Sequence, residues 1–223
     1  MKKRLTLLAL PALLAAGSAQ AVSLDAFDVG VTAGTLGAGP TLGVTVVPDT
    51  FRARLTTGFL DYSESTTVDG IAYEGDLELR NAALIGDYHP FGGLFRLSAG
   101  AVINGNAFDA TGTVVDGETY TANGTTYTAG TGDSVNAEVD FDDIAPYVGL
   151  GLGTAGVEGG LSLSADIGVM FQGTPDAQIT INTDAATQAA ADRYAREAED
   201  DLDDDLEDFE LYPVIQVGAV YRF

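Results

Sequence analysis

The chain has 223 residues, no cysteine, 46% hydrophobic residues and 33 acidic against ten basic residues, which gives a formal net charge of −23. The lack of cysteine excludes a disulfide framework and a thiolate metal site, and the apolar content argues against a disordered chain. A surface this negative repels nucleic acid, so we expect no nucleic-acid partner.

Residues 1–21 predict a secretory signal peptide. Three basic residues at positions 2–4 precede the apolar run 7–16, and a small-x-small cleavage signal ends at Ala21. The alternative, a membrane anchor, needs about 20 apolar residues, more than this run contains. Cleavage would leave one domain, residues 22–223, with seven arginines, no lysine and a formal charge near −26. Adaptation to a saline habitat and a cation-attracting function both explain such a charge.

The mature region alternates apolar and polar residues with a period of two, which is typical of β-strands. In "LSLSADIGVMFQ", for example, Leu161, Leu163 and Ile167 share one face and Ser164 and Asp166 the other. A soluble sandwich or ligand-binding barrel would show the same alternation. Most runs have nine or more residues, however, the length that a tilted strand needs to cross a bilayer. The eight runs lie at about 26–35, 40–47, 51–60, 79–89, 95–106, 144–153, 161–172 and 212–223.

The connections and the aromatic residues favour a membrane barrel. Short turns at 47–50, 90–93 and 154–160 alternate with long segments at 61–76, 107–143 and 173–210, besides a tight turn near 36–39. This asymmetry predicts an all-β fold, an eight-stranded antiparallel up-and-down transmembrane β-barrel. Girdles of aromatic side chains at both interfaces are expected of such a barrel. The aromatics fall at the periplasmic strand ends (Phe27, Phe51, Tyr88, Phe95, Tyr221 and Phe223) or near the opposite rim (Phe59 and Phe171).

The long segments carry structure of their own. Asp-Gly at 69–70 and 116–117 and Asn-Gly at 123–124 favour two-residue turns, which predicts β-hairpins extending the barrel above the membrane. After Asp184, a plausible N-cap, the stretch 185–209 is rich in helix formers and lacks Gly and Pro, which predicts a short acidic helix in the last extracellular loop. This helix would either lie over the barrel mouth and concentrate cations there or form a solvated acidic surface.

The inward face of the predicted barrel combines glycines with charges. Eight strands enclose a lumen that side chains can just fill, and the inward glycines either leave room for water or allow tight closure. The charges predict either a structural network of arginine–carboxylate pairs or a path for solutes. The lumen-lining candidates are Asp28, Arg52, Arg54, Asp87, Arg96, Tyr147, Asp166, Gln216 and Arg222.

Several segments resemble a known family. The end "YPVIQVGAVYRF" resembles the C-terminal signature of bacterial outer-membrane proteins, in which Tyr221 and Phe223 would be read by the barrel-assembly machinery. Together with "DDIAPYVGLGLG" at 142–153 and "ADIGVMFQGTPDAQI" at 165–179, it resembles the CarO-like outer-membrane channels. That resemblance implies a small barrel linked to uptake of ornithine and other basic amino acids. It carries over no substrate-site motif.

We therefore expect an outer-membrane channel of a Gram-negative bacterium for passive diffusion of small, preferably cationic solutes. The expected partners are outer-membrane lipid, the barrel-assembly machinery and such solutes, with no cofactor and no metal. We expect no enzyme, because the single histidine, His89, has no plausible Ser–His–Asp set around it. The alternative is a non-conducting structural or surface-interaction barrel. The cation-attracting loop residues would be Glu197, Glu199, Asp200, Asp201, Asp203, Asp204 and Asp205.

Overall fold

A computed structural model gives the fold of most of the chain. It describes residues 26–68, 71–114, 119–122, 125–128, 130, 132–153, 159–183 and 188–223. The expected signal peptide, the predicted turns at 69–70, 116–117 and 123–124, and the expected N-cap Asp184 lie outside these residues.

The described part of the chain contains thirteen strands and one α-helix, followed by a short 3-10 turn at Glu207–Glu210. The strands are β1 (Phe27–Gly34), β2 (Gly37–Val47), β3 (Phe51–Val68), β4 (Ile71–Tyr88), β5 (Phe95–Asn104), β6 (Ala107–Val114), β7 (Thr119–Ala122), β8 (Thr125–Thr128), β9 (Ser134–Asp140), β10 (Ile144–Leu152), β11 (Gly160–Phe171), β12 (Asp176–Asn182) and β13 (Leu211–Arg222), and the helix is α1 (Gln188–Leu206).

Among the described residues, eight strands form a closed antiparallel ring in the order β1, β2, β3, β4, β5, β10, β11, β13. The last strand pairs with the first, from Asp28 opposite Arg222 to Gly34 opposite Gln216, and this pairing removes the free sheet edges of the ring. The predicted eight-stranded barrel is confirmed. No helix within the described ranges is both long enough and apolar enough to span a membrane.

The outer surface of the ring is a band of exposed apolar side chains. Leu163, Ile167 and Val217 are 76%, 60% and 59% exposed, although they alternate along their strands with buried residues. Apolar side chains this exposed lie outside the ring and not between two stacked layers, so the arrangement differs from that of a soluble sandwich. At the C-terminal end of β13, the aromatic side chains of Tyr221 and Phe223 contact each other edge to face, with their centroids 5.5 Å apart.

Two of the barrel strands rise beyond the ring and carry a second sheet. β3 and β4 stay paired from Phe51 opposite Tyr88 up to Val68 opposite Ile71. Only the lower part of β4 pairs with β5, and the upper part pairs with β6, which continues through β9 to β12. We call this sheet, formed by the upper halves of β3 and β4 with β6, β9 and β12, the extension sheet. The ring end that bears it is the loop end, and the opposite one is the turn end.

Two of the three predicted hairpins are confirmed, whereas the one predicted at 116–117 was wrong, because in the described residues β6 pairs with β4 and β9 and β7 pairs with β8. Val68 pairs with Ile71, and Ala122 of β7 pairs with Thr125 of β8. The predicted bounds of the third and fourth strands, 51–60 and 79–89, were too short. Beyond the ring the outward positions become acidic, as at Asp61 and Glu78, and the apolar alternation that marks a membrane strand is lost there.

The extension sheet has two unlike faces, because its strands pair in register. One row across it joins Tyr62, Leu77, Phe108, Val139 and Ala177, and this apolar face continues the interior side of the barrel. The adjacent row on the other face joins Asp61, Glu78, Ala107, Asp140 and Asp176.

The predicted helix in the last loop is confirmed as α1, and it packs along the outer edge of β12. The backbone N–H of Ile179 donates to Glu199 Oε1 at 2.7 Å, and Gln188 Nε2 donates to the carbonyl of Ile181 at 2.8 Å. Both backbone groups lie on the edge of β12 that does not pair with β9, so the helix covers the free edge of the extension sheet. Ala195 is buried in this contact region.

Candidate functional site

The interior of the ring contains three successive layers of buried side chains. Alternate residues of a strand face inward, and the inward residues of β4 show the order of the layers from the turn end to the loop end. Asp87 belongs to the first layer, Ile85 and Ala83 to the second, and Asn81 to the third. We call the layers the ionic layer, the apolar layer and the amide cluster.

The ionic layer is a continuous network of seven charged side chains. Arg52 Nε donates to Asp28 Oδ2 at 2.8 Å, and its Nη1 donates to Asp87 at 3.2 Å. Arg54 joins Asp87 to Asp166, with Nη1 3.0 Å from Asp166 Oδ2. The network comprises Asp28, Asp87, Asp166, Arg52, Arg54, Arg96 and Arg222.

Each carboxylate in this layer is shared by at least two guanidinium groups. Asp166 accepts from Arg96 Nη2 at 2.8 Å as well as from Arg54, and Asp28 has Arg222 at 4.0 Å besides Arg52. Ser98 Oγ donates to Asp87 Oδ1 at 2.7 Å. Sharing offsets the desolvation of buried charges, which is tolerated only when they are paired and hydrogen-bonded. Four arginines against three aspartates leave the layer with one net positive charge.

The inward glycines make room for these side chains. A Cβ at Gly43 would meet the guanidinium of Arg52, and one at Gly151 would lie 2.6 Å from Arg96 Nε. The space that the missing side chains provide is therefore filled by arginine, which favours tight closure over an open water column.

The apolar layer lies above the ionic layer. Tyr147 is almost wholly buried, and a Cβ at Gly168 would lie 2.6 Å from its Cε2. Packing of this density leaves few voids larger than a water molecule. The layer comprises Leu36, Ala83, Ile85, Val102, Ala145, Tyr147, Met170 and Val214.

The amide cluster, which sequence reasoning missed, closes the loop end of the interior. Asn81 and Asn104 are paired across β4 and β5, one inward position beyond the pair Ala83 and Val102. Its other members, Asn106 and Gln172, lie just outside the strands of the structure but within the predicted runs 95–106 and 161–172. The alternation of the runs puts all four amides on the side of the inward charges, but it does not indicate that they contact one another.

The nine lumen candidates fall in one region of the structure. Seven form the ionic layer, and Tyr147 belongs to the apolar layer. Gln216 is buried beside Gly34, opposite Asp166 on the neighbouring strand.

The loop candidates lie elsewhere. Glu199 bonds to β12, and the backbone of α1 carries Glu197, Asp200, Asp201, Asp203, Asp204 and Asp205, whose side chains are outside the description. Tyr221 and Phe223 lie exposed at the turn end.

Two solved structures share this fold. The chain matches the crystal structure of Acinetobacter baumannii CarO with a TM-score of 0.55 and 22% identity, over 88% of this chain and 97% of that chain. It matches the crystal structure of Acinetobacter baumannii CarO2 with a TM-score of 0.57 and 22% identity, over 88% of this chain and 98% of that one. No protein-family model matches the chain, and no curated protein matches it. The CarO-like resemblance expected from the sequence is confirmed at the level of the fold.

Proposed function

We propose that this chain, which has the fold of the CarO barrels, is an outer-membrane channel for passive diffusion of small, preferably cationic solutes such as basic amino acids. The observation that carries the proposal is a ring of eight strands with an exposed apolar outside and a polar, charged interior. The apolar outside of such a ring suits contact with lipid, and its polar interior suits a path for solutes. The proposed location is the outer membrane of a Gram-negative bacterium, in contact with its lipid.

The proposal includes export and assembly. Residues 1–21 would direct secretion and be removed near Ala21. Tyr221 and Phe223 would form the segment that the barrel-assembly machinery reads. The chain would act in transport and not in catalysis.

Charge at the loop end supports a preference for cations. The outward face of the extension sheet carries Asp61, Glu78, Asp140 and Asp176 in one row, and α1 adds the seven loop acids. A field of one sign at a pore mouth raises the local concentration of ions of opposite sign. The ionic layer has the reverse sign, with one net positive charge, so it favours a solute that carries a carboxylate besides its ammonium groups. Amino acids meet both conditions.

Conduction through this interior requires movement. A solute must pass the apolar layer, where Val102, Ala145 and Met170 are wholly buried, and then the ionic layer. Hydrophobic constrictions gate channels by excluding water. We infer that open periods are brief and the conductance is small.

The same burial favours a second candidate function. A barrel whose interior is filled at two levels can serve as a non-conducting structural or surface-interaction protein. The extension sheet would then be the part that meets partners.

Planar-bilayer recordings of refolded protein test the two candidates. The channel predicts cation-selective steps and faster liposome swelling with ornithine than with glutamate. Replacing the seven loop acids by their amides should reduce the cation preference. The matched control is Asp49→Asn in an exposed turn at the opposite end, since asparagine also tolerates the φ of 54° found there. Silence from correctly folded protein would contradict the channel and support the second candidate.

A further inference from the structure

The amide cluster at the loop end of the barrel interior contains buried polar atoms with no protein partner. Asn81, Asn104, Asn106 and Gln172 are between 3% and 6% exposed. Among the described residues, Asn81 Oδ1, Asn106 Nδ2 and Gln172 Oε1 accept or donate no hydrogen bond. Leaving one buried polar atom unsatisfied costs about 1–3 kcal/mol.

Hydrogen bonds to two backbone carbonyls and one between Asn81 and Asn106 fix which end of each amide is free. Asn81 Nδ2 donates to the carbonyl of Leu36 at 3.2 Å and to Asn106 Oδ1 at 2.7 Å. Gln172 Nε2 donates to the carbonyl of Phe209 at 3.0 Å. A carbonyl only accepts, so flipping Asn81 or Gln172 would lose these bonds. Two free acceptors and one free donor therefore belong to the cluster.

The cluster is one connected unit that spans several strands. Asn104 Oδ1 accepts from the backbone N–H of Asn106 at 3.3 Å, and Asn104 Nδ2 donates to the carbonyl of Asp142 at 3.3 Å. The N–H of Asp142 in turn donates to the carbonyl of Gln172 at 3.1 Å. The side chains of Asp142 and Asp143 are exposed at the same end.

The free atoms define the chemistry of a complementary ligand. An ammonium group donates to amide oxygens, and a carboxylate accepts from an amide N–H. A bare metal cation would leave Asn106 Nδ2 unpaired, and a simple anion would leave both acceptors unpaired. A molecule that carries both an ammonium and a carboxylate has the donors and the acceptor that these three atoms lack.

We propose that the amide cluster is a binding site for a zwitterionic α-amino acid at the outer end of the barrel interior. The carboxylate accepts from Asn106 Nδ2, the α-ammonium donates to the amide oxygens of Asn81 and Gln172, and Asp142 and Asp143 favour a further cationic group. The assignment of this ligand class rests on the proposed transport function. Because the apolar layer lies directly beneath, the site holds a solute before the layer opens.

Ligand titrations of refolded, isotope-labelled protein in detergent micelles test the site, with the side-chain amide resonances observed by NMR. The probes are ornithine, putrescine, which is ornithine without its carboxylate, and acetate. Ornithine should shift the amide resonance of Asn106 saturably, with a Kd at least tenfold lower than that of putrescine or acetate. Equal affinities for ornithine and putrescine would mean attraction by the acidic surface alone and would overturn the proposal, as would the absence of a saturable shift.

Variants separate the site from the fold. Asn106→Asp replaces the free donor by an acceptor and keeps an oxygen for Asn81, so it should weaken ornithine at least tenfold and leave putrescine unweakened. Asn182→Asp, on an exposed residue of β12, is the matched control and should change neither affinity. If Asn106→Asp does not fold, Asn106→Ala should show the same loss of ornithine binding. Unchanged ornithine affinity in the folded variant would overturn the site.

Binding and conduction are read separately. Saturable ornithine binding in micelles by a protein that gives no flux in liposomes would contradict the channel and support the site. Flux without saturable binding at Asn106 would support the channel and overturn the site.

Discussion

Arg54 and Asp166 are 112 residues apart in the chain and form a two-pronged ion pair inside the barrel, with Nη1 to Oδ2 at 3.0 Å and Nη2 to Oδ1 at 3.1 Å. Arg54 lies on β3 and Asp166 on β11, which are not neighbours in the ring. The pair therefore ties opposite walls together. Ion pairs of this geometry combine charge with directional hydrogen bonding.

Removing the carboxylate of this pair should destabilise the barrel. Asp166→Asn leaves Arg54 and Arg96 short of a buried counter-charge, for which we expect a loss of about 3–5 kcal/mol in the free energy of unfolding. Urea titration of protein refolded into lipid vesicles measures it. The matched control is Asp61→Asn, which removes an exposed partner of Arg80 and should cost no more than about 1 kcal/mol. Equal, small effects from both variants would contradict the role of the ionic layer.

The apolar layer depends on glycines that face Tyr147. In Gly149→Ala the new Cβ would meet the Tyr147 hydroxyl and lie 2.8 Å from its Cζ, so we expect a loss of about 1–3 kcal/mol from overpacking. Adding Tyr147→Leu should recover part of the loss, which a double-mutant cycle measures. Gly75→Ala is the control, because the nearest atom to its Cβ would be Phe108 Cζ at 3.9 Å. Additive effects of the Gly149 and Tyr147 changes would show that the two do not pack against each other.

The contact between Glu199 and the edge of β12 should protect one amide from exchange. In Glu199→Ala the N–H of Ile179 loses its acceptor, so we expect its hydrogen exchange to accelerate at least tenfold. Glu199→Gln retains an acceptor oxygen and is the matched control, with an expected change below about threefold. Equal acceleration in both variants would indicate that charge, and not the hydrogen bond, fixes the helix.

The extension sheet contains a tyrosine with a shifted pKa. Tyr62 donates its hydroxyl to Glu64 Oε2 at 2.7 Å. Ionising Tyr62 would break this bond and place two negative charges together, so the pKa of Tyr62 is raised above its ordinary value. Glu64→Gln should return that pKa toward about 10, as followed by NMR titration of the tyrosine ring. Glu138→Gln, in the same sheet but on its other face, should leave it unchanged, and an unshifted pKa in Glu64→Gln would refute the assignment.

The ring of eight strands could be predicted from sequence because the apolar positions on its outer surface repeat every second residue. Leu161, Leu163 and Ile167 show that repeat within one strand, and it depends on no distant contact. The upper halves of β3 and β4 could not be predicted as strands, because they extend beyond the exposed apolar band of the ring and lose its alternation of apolar and polar residues. There Asp61 and Glu78 replace apolar residues on the outward side.

The state of the interior could not be predicted in the same way. Sequence showed which charges face inward, but whether Arg54 meets Asp166 depends on the curvature and stagger of the whole ring. The amide cluster could not be predicted either, because the orientation of its amides depends on residues that are distant in the chain. The carbonyls of Leu36 and Phe209 orient Asn81 and Gln172, and Asn81 in turn orients Asn106.

The sheet branches at β4, and the two halves of this strand have different structural roles. Its lower half completes the cylinder with β5, and its upper half supports β6, β9 and β12. Insertions or deletions at the far tips of the outer strands would consequently alter the height and shape of the superstructure while leaving the girth of the cylinder unchanged. The outermost surface of such a molecule can vary in sequence and length while the strand pairing that closes the barrel stays the same.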